Sequence, residues 1–232
     1  MTPRLVRPNA STLARARQNV LVEVKSRQAI SKLLTFYDPA GRYAGLTFLD
    51  LQPVRHDAIG ASDFMAPSLM SAPLTPKQVR ALIAASPQIR KALRAVPETA
   101  DLAIATEQLL AGPAWQLHDV VRKALNTGEG RKTKAPLKTD KLCARKRPGL
   151  FPVRDSRITA KTKVGHRGWL TFQALLQDPA IVAALQRARL TASQTNIGVA
   201  HLPLLRVLDT ILWMPFSLGN PVVGGHSAVT QT

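Results

Sequence analysis

The sequence predicts a mainly α-helical fold, a multi-helix bundle, and three observations carry that expectation. Apolar residues recur at helical spacing in most windows, as in Val20, Leu21, Val24, Ile30, Leu33 and Leu34. Helix-start signals recur too: Thr75-Pro76 and Ser86-Pro87 each set a hydroxyl before a proline at a first helical position. Strand signals are scarce, because aromatic residues make up only 5% of the chain and Val/Ile/Thr alternation is nearly absent. With 232 residues and 45% apolar content, the chain has enough material for a real core.

Taken in order, Ser11 is the candidate N-cap of one long helix ending near Phe36. The segment YDPAGRYAG, Tyr37 to Gly45, holds one proline and two glycines and reads as a tight turn. LTFLDLQ after it alternates apolar and polar residues and reads as a short strand. Short, closely linked helices follow from Thr75 and Ser86, and further helices are expected over 101–111, 114–125, 136–146, 168–177, 179–190 and 203–214. NTGEGRKTK, at 126–134, cannot continue a helix well and divides the helices into an N-terminal region, 1–125, with the YDPAGRYAG turn, and a basic region, 126–216. Residues 217–232 lack periodicity and are expected to form a disordered tail.

Charge narrows the function classes. Lys and Arg outnumber Asp and Glu by 32 to 14, and 122–167 holds fifteen basic residues against three acids, so twelve of the eighteen net positive charges fall in that window. A concentrated positive field favours a polyanion, with nucleic acid as the leading partner, duplex DNA above all. The candidate phosphate contacts are Arg131, Lys132, Lys134, Lys138, Lys141, Arg145, Lys146, Arg147 and Arg154. The same residues also suit a solvated basic face, and Arg145, Lys146 and Arg147 also suit the C-terminal end of a helix dipole. The single cysteine, Cys143, excludes an intramolecular disulfide and a Cys-based metal site and reads as a core residue. The five histidines show no metal-ligand spacing, and no phosphate-loop or dinucleotide signature is present, so neither a metal nor a cofactor is implied. No window approaches the roughly 18 unbroken apolar residues of a membrane span, which sets the expectation of a cytoplasmic protein without a membrane partner.

The stretch KLCARKRPGLFPVRDS, Lys141 to Ser156, ends in a lone carboxylate, Asp155, within the cationic window. Asp155 is therefore the candidate catalytic group, although an N-cap or ion-pair role is the more ordinary use of such a residue. Trp115, Trp169 and Trp213 read as core anchors, with Trp169 open to a base-stacking role. Tyr37, Asp38 and Tyr43 are explained by a turn that docks its aromatics on the helical body.

Three of these elements, YDPAGRYAG, KLCARKRPGLFPVRDS and LLRVLDTILWM (Leu204 to Met214), resemble an uncharacterised domain family of high-GC bacteria, over about residues 30–214. The order of loop, basic helix, Pro-containing segment and Asp155 is similar, more distantly, to the helix-hairpin-helix DNA glycosylases. That resemblance implies a degenerate helix-hairpin-helix-like half, binding of duplex DNA, and an Asp155 that stabilises a cationic sugar as a flipped base departs. Ala135 falls at the hairpin position, where it makes close phosphate approach harder, and Leu137 falls where the lyases carry their lysine, which implies no lyase step. The alternatives are a nucleic-acid-binding module without activity and an interaction protein for an acidic partner.

Overall fold

A computed structural model of the chain describes residues 5–128, 134–162 and 168–215, and no strand occurs among them. The chain opens with α1 (Ala10–Val24), capped by Asn9, whose side chain accepts from the Thr12 N–H at 2.8 Å. The cap thus lies two residues before Ser11. The expected single long helix is two helices, because α1 stops at Val24, the Ser26 hydroxyl donates to the Glu23 carbonyl at 2.8 Å, and α2 (Gln28–Tyr37) starts afresh. Serine bonding back onto a local carbonyl competes with helix continuation.

The segment expected as a strand is instead a short helix, α3 (Gly45–Asp50). Its alternation covers too few residues to separate one period from the other, and Gly45 and Phe48 both turn inward, as one helical face requires. Next come α4 (Ala61–Leu69), α5 (Pro76–Ala84) and α6 (Ser86–Arg94). Thr75 caps α5 as its sequence predicts, accepting from the Gln78 N–H at 3.3 Å while the Gln78 side chain accepts from the Thr75 N–H at 3.1 Å. Ser86 opens α6 without capping it; the N-cap is Ala85.

The helix expected over 101–111 is mostly turn. A Thr106-capped α7 (Glu107–Leu109) runs into a π-helical turn, Leu110–Ala114, and then into α8 (Trp115–Leu125). Pro113 lacks the N–H that an unbroken α-helix would need there, and Gly112 absorbs the change of direction at φ −102° and ψ −105°. The remaining helices are α9 (Ala135–Lys146), α10 (Ser156–Thr162), α11 (Trp169–Gln177), α12 (Pro179–Thr195, capped by Asp178) and α13 (Leu204–Trp213).

One continuous core takes side chains from Ala16 through Met214, across both sides of the 126–134 segment. Helix α8 packs on α9, α2 on α12 and α13, and α1 on α10 and α12. Cys143 is buried and free, as a small core residue. The expected tail, 217–232, lies outside the described residues, as do Arg131 and Lys132.

Candidate functional site

Helix α9 is the basic helix of the sequence, and every residue from Lys138 to Arg147 is buried. Six of the candidate phosphate contacts, Lys138, Lys141, Arg145, Lys146, Arg147 and Arg154, are therefore interior, each at most 7% exposed. Their charges are met inside the protein. Arg145 donates from Nε to Asp63 at 2.8 Å and from its other nitrogens to the carbonyls of Phe48, Leu49 (2.9 Å) and Leu51 (2.5 Å). Lys146 bonds Asp63 at 2.5 Å and the Arg55 carbonyl at 2.8 Å. Arg147 donates to the carbonyls of Leu93 (2.6 Å), Val96 (2.9 Å) and His56 (3.0 Å).

The cations thus satisfy carbonyls left open at the ends of α3 and α6, a role that favours positive charge. Lys138 bonds the Gln78 side chain at 2.8 Å. Arg154 makes a two-point contact with buried Asp140, 2.6 and 3.1 Å, and His118 Nε2 lies 2.9 Å from the same carboxylate. Burial acts to raise the Asp140 pKa, and the Arg154 and His118 contacts outweigh it, leaving the carboxyl below its usual value. Of the candidate phosphate contacts, Lys134 is the one that is exposed among the described residues. The inward placement corrects the surface assignment of the other six: a phosphate cannot reach them without displacing protein partners.

The three sequence motifs meet elsewhere, around one pocket. It encloses about 470 Å³ including its open mouth, and each motif lines it: Tyr37 and Gly45 from the first turn, with Phe36 just before it, Lys141, Val153 and Asp155 from the second, and Arg206, Asp209, Thr210 and Trp213 from the third. Four aromatic side chains, Phe36, Tyr37, Phe48 and Trp213, form part of its wall. Phe36 stands 5.6 Å from Trp213, centroid to centroid, and Tyr43 packs edge-on to Trp213 at 5.8 Å. The close approach needs glycine at 45, where an added Cβ would lie 2.6 Å from the Phe36 ring and the Phe36 carbonyl. The YDPAGRYAG turn thus does dock its aromatics on the body, and in doing so builds the pocket.

The lining also carries the polar groups Tyr37, Lys141, Asp155, Arg206, Asp209 and Thr210. Asp155 is half-buried and caps α10, its Oδ1 accepting from the N–H groups of Arg157 at 2.9 Å and Ile158 at 3.0 Å. Its Oδ2 has no hydrogen-bond partner among the described residues, so the cap leaves one oxygen available to the pocket. Lys141 donates to the Met70 carbonyl. Burial lowers its pKa to about 8, against the nearby Asp155 charge, which raises it. Asp209 is fully enclosed: burial pushes its carboxyl up to about 6, although Arg206 lies 2.6 Å away and the Val153 N–H donates to it at 2.9 Å. Tyr37 is held by the Thr210 hydroxyl at 3.0 Å, and burial raises its phenol to about 12, so it stays neutral.

At the outer side, two exposed arginines lie over these aromatics: Arg42 sits 4.8 Å from the centre of the Tyr43 ring and Arg157 5.5 Å from that of Trp213. Trp169, by contrast, is buried against Trp115, His118 and Phe151 and offers no stacking face. Arg206, Asp209 and Trp213 were not singled out as site residues by the sequence reading. The available signal was a charged pair three residues apart inside an otherwise apolar helix.

Residues 29–215 match the family of unknown function DUF6308, and the chain belongs to that family. The match spans all three motifs and every residue named in the pocket lining. No curated protein and no solved structure matches the chain. Among the described residues no helix is long and apolar enough to cross a membrane, and no cluster of His, Cys, Asp and Glu could hold a metal ion.

Proposed function

We infer that the chain binds DNA presenting an unstacked base to this pocket and releases the base there, with Asp155 as the essential carboxylate. The observation that supports the reading is the convergence of all three motifs on one aromatic pocket that contains a half-buried acid with a free oxygen. An aromatic wall takes a flat ring, and a carboxylate beside it stabilises the positive charge that develops on a sugar as its base departs with the C–N bonding pair. Phosphate contact falls to Arg42, Arg157 and Lys134, because the buried cations of α9 are committed to internal partners.

That burial favours a second reading, in which the pocket takes a small aromatic ligand and no nucleic acid. Fluorescence anisotropy separates the two. Binding is measured to a duplex carrying a cationic abasic-sugar mimic and to the same duplex undamaged, at two salt concentrations, with Asp155→Asn and an Arg42→Ala/Arg157→Ala variant alongside. Asparagine also caps helices, so Asp155→Asn keeps α10. The mimic should bind more tightly than the undamaged duplex, Asp155→Asn should lose that preference, and the double variant should reduce the salt slope by about two. Equal affinity for both duplexes refutes the base-release reading, and the absence of salt-sensitive binding leaves the small-ligand reading.

A further inference from the structure

Two residues that line the pocket each carry a buried polar atom without a hydrogen-bond partner. Arg206 and Asp209 sit one helical turn apart on α13, 4% and 6% exposed, and form an ion pair through Arg206 Nη2 and Asp209 Oδ2 at 2.6 Å. Arg206 Nη2 also donates to the Phe151 carbonyl at 2.6 Å, and Asp209 Oδ2 also accepts from the Val153 N–H at 2.9 Å. The remaining Arg206 Nε and Asp209 Oδ1 are enclosed and make no hydrogen bond. A buried donor or acceptor left unmet is destabilising, more so when the group is charged, and such atoms in a native fold call for an explanation. Structural demand alone does not supply one, since the ion pair and both backbone contacts are complete without them.

We propose that Arg206 Nε and Asp209 Oδ1 are the recognition pair for a lactam edge, a ring N–H beside a C=O, on the ligand this pocket takes. The donor would meet the ligand carbonyl and the acceptor would meet its N–H. The proposal rests on reading the pocket as the ligand site, and it narrows that ligand to flat heterocycles carrying this edge. The aromatic wall of Phe36, Tyr37 and Trp213 supplies the complementary surface for the ring itself. Neither atom is open to solvent as the walls stand, so the edge reaches them when Met70 and Trp213, two of the part-exposed members of the lining, move aside. Binding is therefore coupled to a small rearrangement at the Trp213 ring, which gives the test its reporter.

The test compares 1-methyluracil, which keeps a ring N–H between two carbonyls, with 1,3-dimethyluracil, which has the same ring and carbonyls without that N–H. Affinity is measured at neutral pH on the unmodified protein by ligand-observed NMR, with the Trp213 indole resonance followed in parallel. A site built to bond an N–H rejects the analogue lacking it, so the expected preference is at least about tenfold, with a shift of the Trp213 signal. In Asp209→Asn, whose amide oxygen is a weaker acceptor than a carboxylate, the preference should shrink. Equal affinity for the two rings, binding of neither, or an unchanged preference in Asp209→Asn overturns the assignment. If Asp209→Asn does not fold, the comparison of the two rings and the Trp213 shift still decide the matter. The duplex measurement with the sugar mimic reads Asp155 and involves no lactam, so base release and lactam recognition fail independently.

Discussion

Replacing Asp63 by alanine tests the inward role of the basic helix most directly. The carboxylate is 1% exposed and accepts from Arg145 Nε at 2.8 Å, Lys146 Nζ at 2.5 Å and the Gly60 N–H at 2.8 Å. Its removal leaves two enclosed cations side by side without a counter-charge, and breaking a buried pair in this way costs about 3–5 kcal/mol. Both cations keep backbone carbonyls, Arg55 for Lys146 and three for Arg145, which places the expected loss near the lower figure, about 3 kcal/mol. At about 2–4 °C per kcal/mol for a chain of this size, the midpoint should fall by about 6–12 °C. The assay is thermal unfolding followed by helical circular dichroism, repeated in a Lys146→Met background. There the loss from Asp63→Ala should be smaller, because only Arg145 is left unpaired. A midpoint shift below about 2 °C, or the same loss in both backgrounds, would show that the cations are solvated and would restore them as a surface.

Two further predictions concern the pocket. The Asp209 carboxyl, raised by burial from the ordinary 3.8 to about 6, binds its proton more tightly in the folded chain, so its ionisation costs stability. The cost is absent below the lower value, grows as pH rises through the interval, and reaches about 3 kcal/mol above pH 6, by the 1.36 kcal/mol per unit of linkage. The charged groups acting on Asp209 are Arg206, Asp140 and Asp155, and the neutral Tyr37 phenol lies beside Arg206 and Asp209. Denaturant unfolding of the wild type and Asp209→Asn from pH 4 to 7 should therefore show a stability difference that moves against the wild type as pH rises; a difference that stays constant refutes the raised value. Gly45→Ala should lose about 1–3 kcal/mol, since its Cβ would fall 2.6 Å from backbone and ring atoms of Phe36, whereas Gly60→Ala, with nothing within 4 Å, should lose much less. Equal melting shifts for the two would remove the steric account.

The all-α fold was legible because its signals are local. Helical spacing, the Thr75 capping box and proline at first positions act within one or two turns, and α5, α8, α9, α11, α12 and α13 start within a residue or so of the expected positions. The misread elements failed for equally local reasons. LTFLD is too short to separate a period of two from one of 3.6, and Pro113 gave no sign that the chain would pass it through a π-helical turn.

The sequence by itself determined the helical class and offered Asp155 as either a helix cap or a catalytic group; that it caps α10 was decided by the structure. Where the charge goes was decided only by tertiary structure. A lysine or arginine has the same composition signature on a surface as in a core, and its burial depends on distant groups. Asp63 and the open carbonyls at the ends of α3 and α6 lie between 50 and 100 residues from the cations of α9 that they hold. The pocket has the same origin: Tyr37, Asp155 and Asp209 become neighbours because α2, α10 and α13 pack together, and no spacing along the chain encodes that meeting.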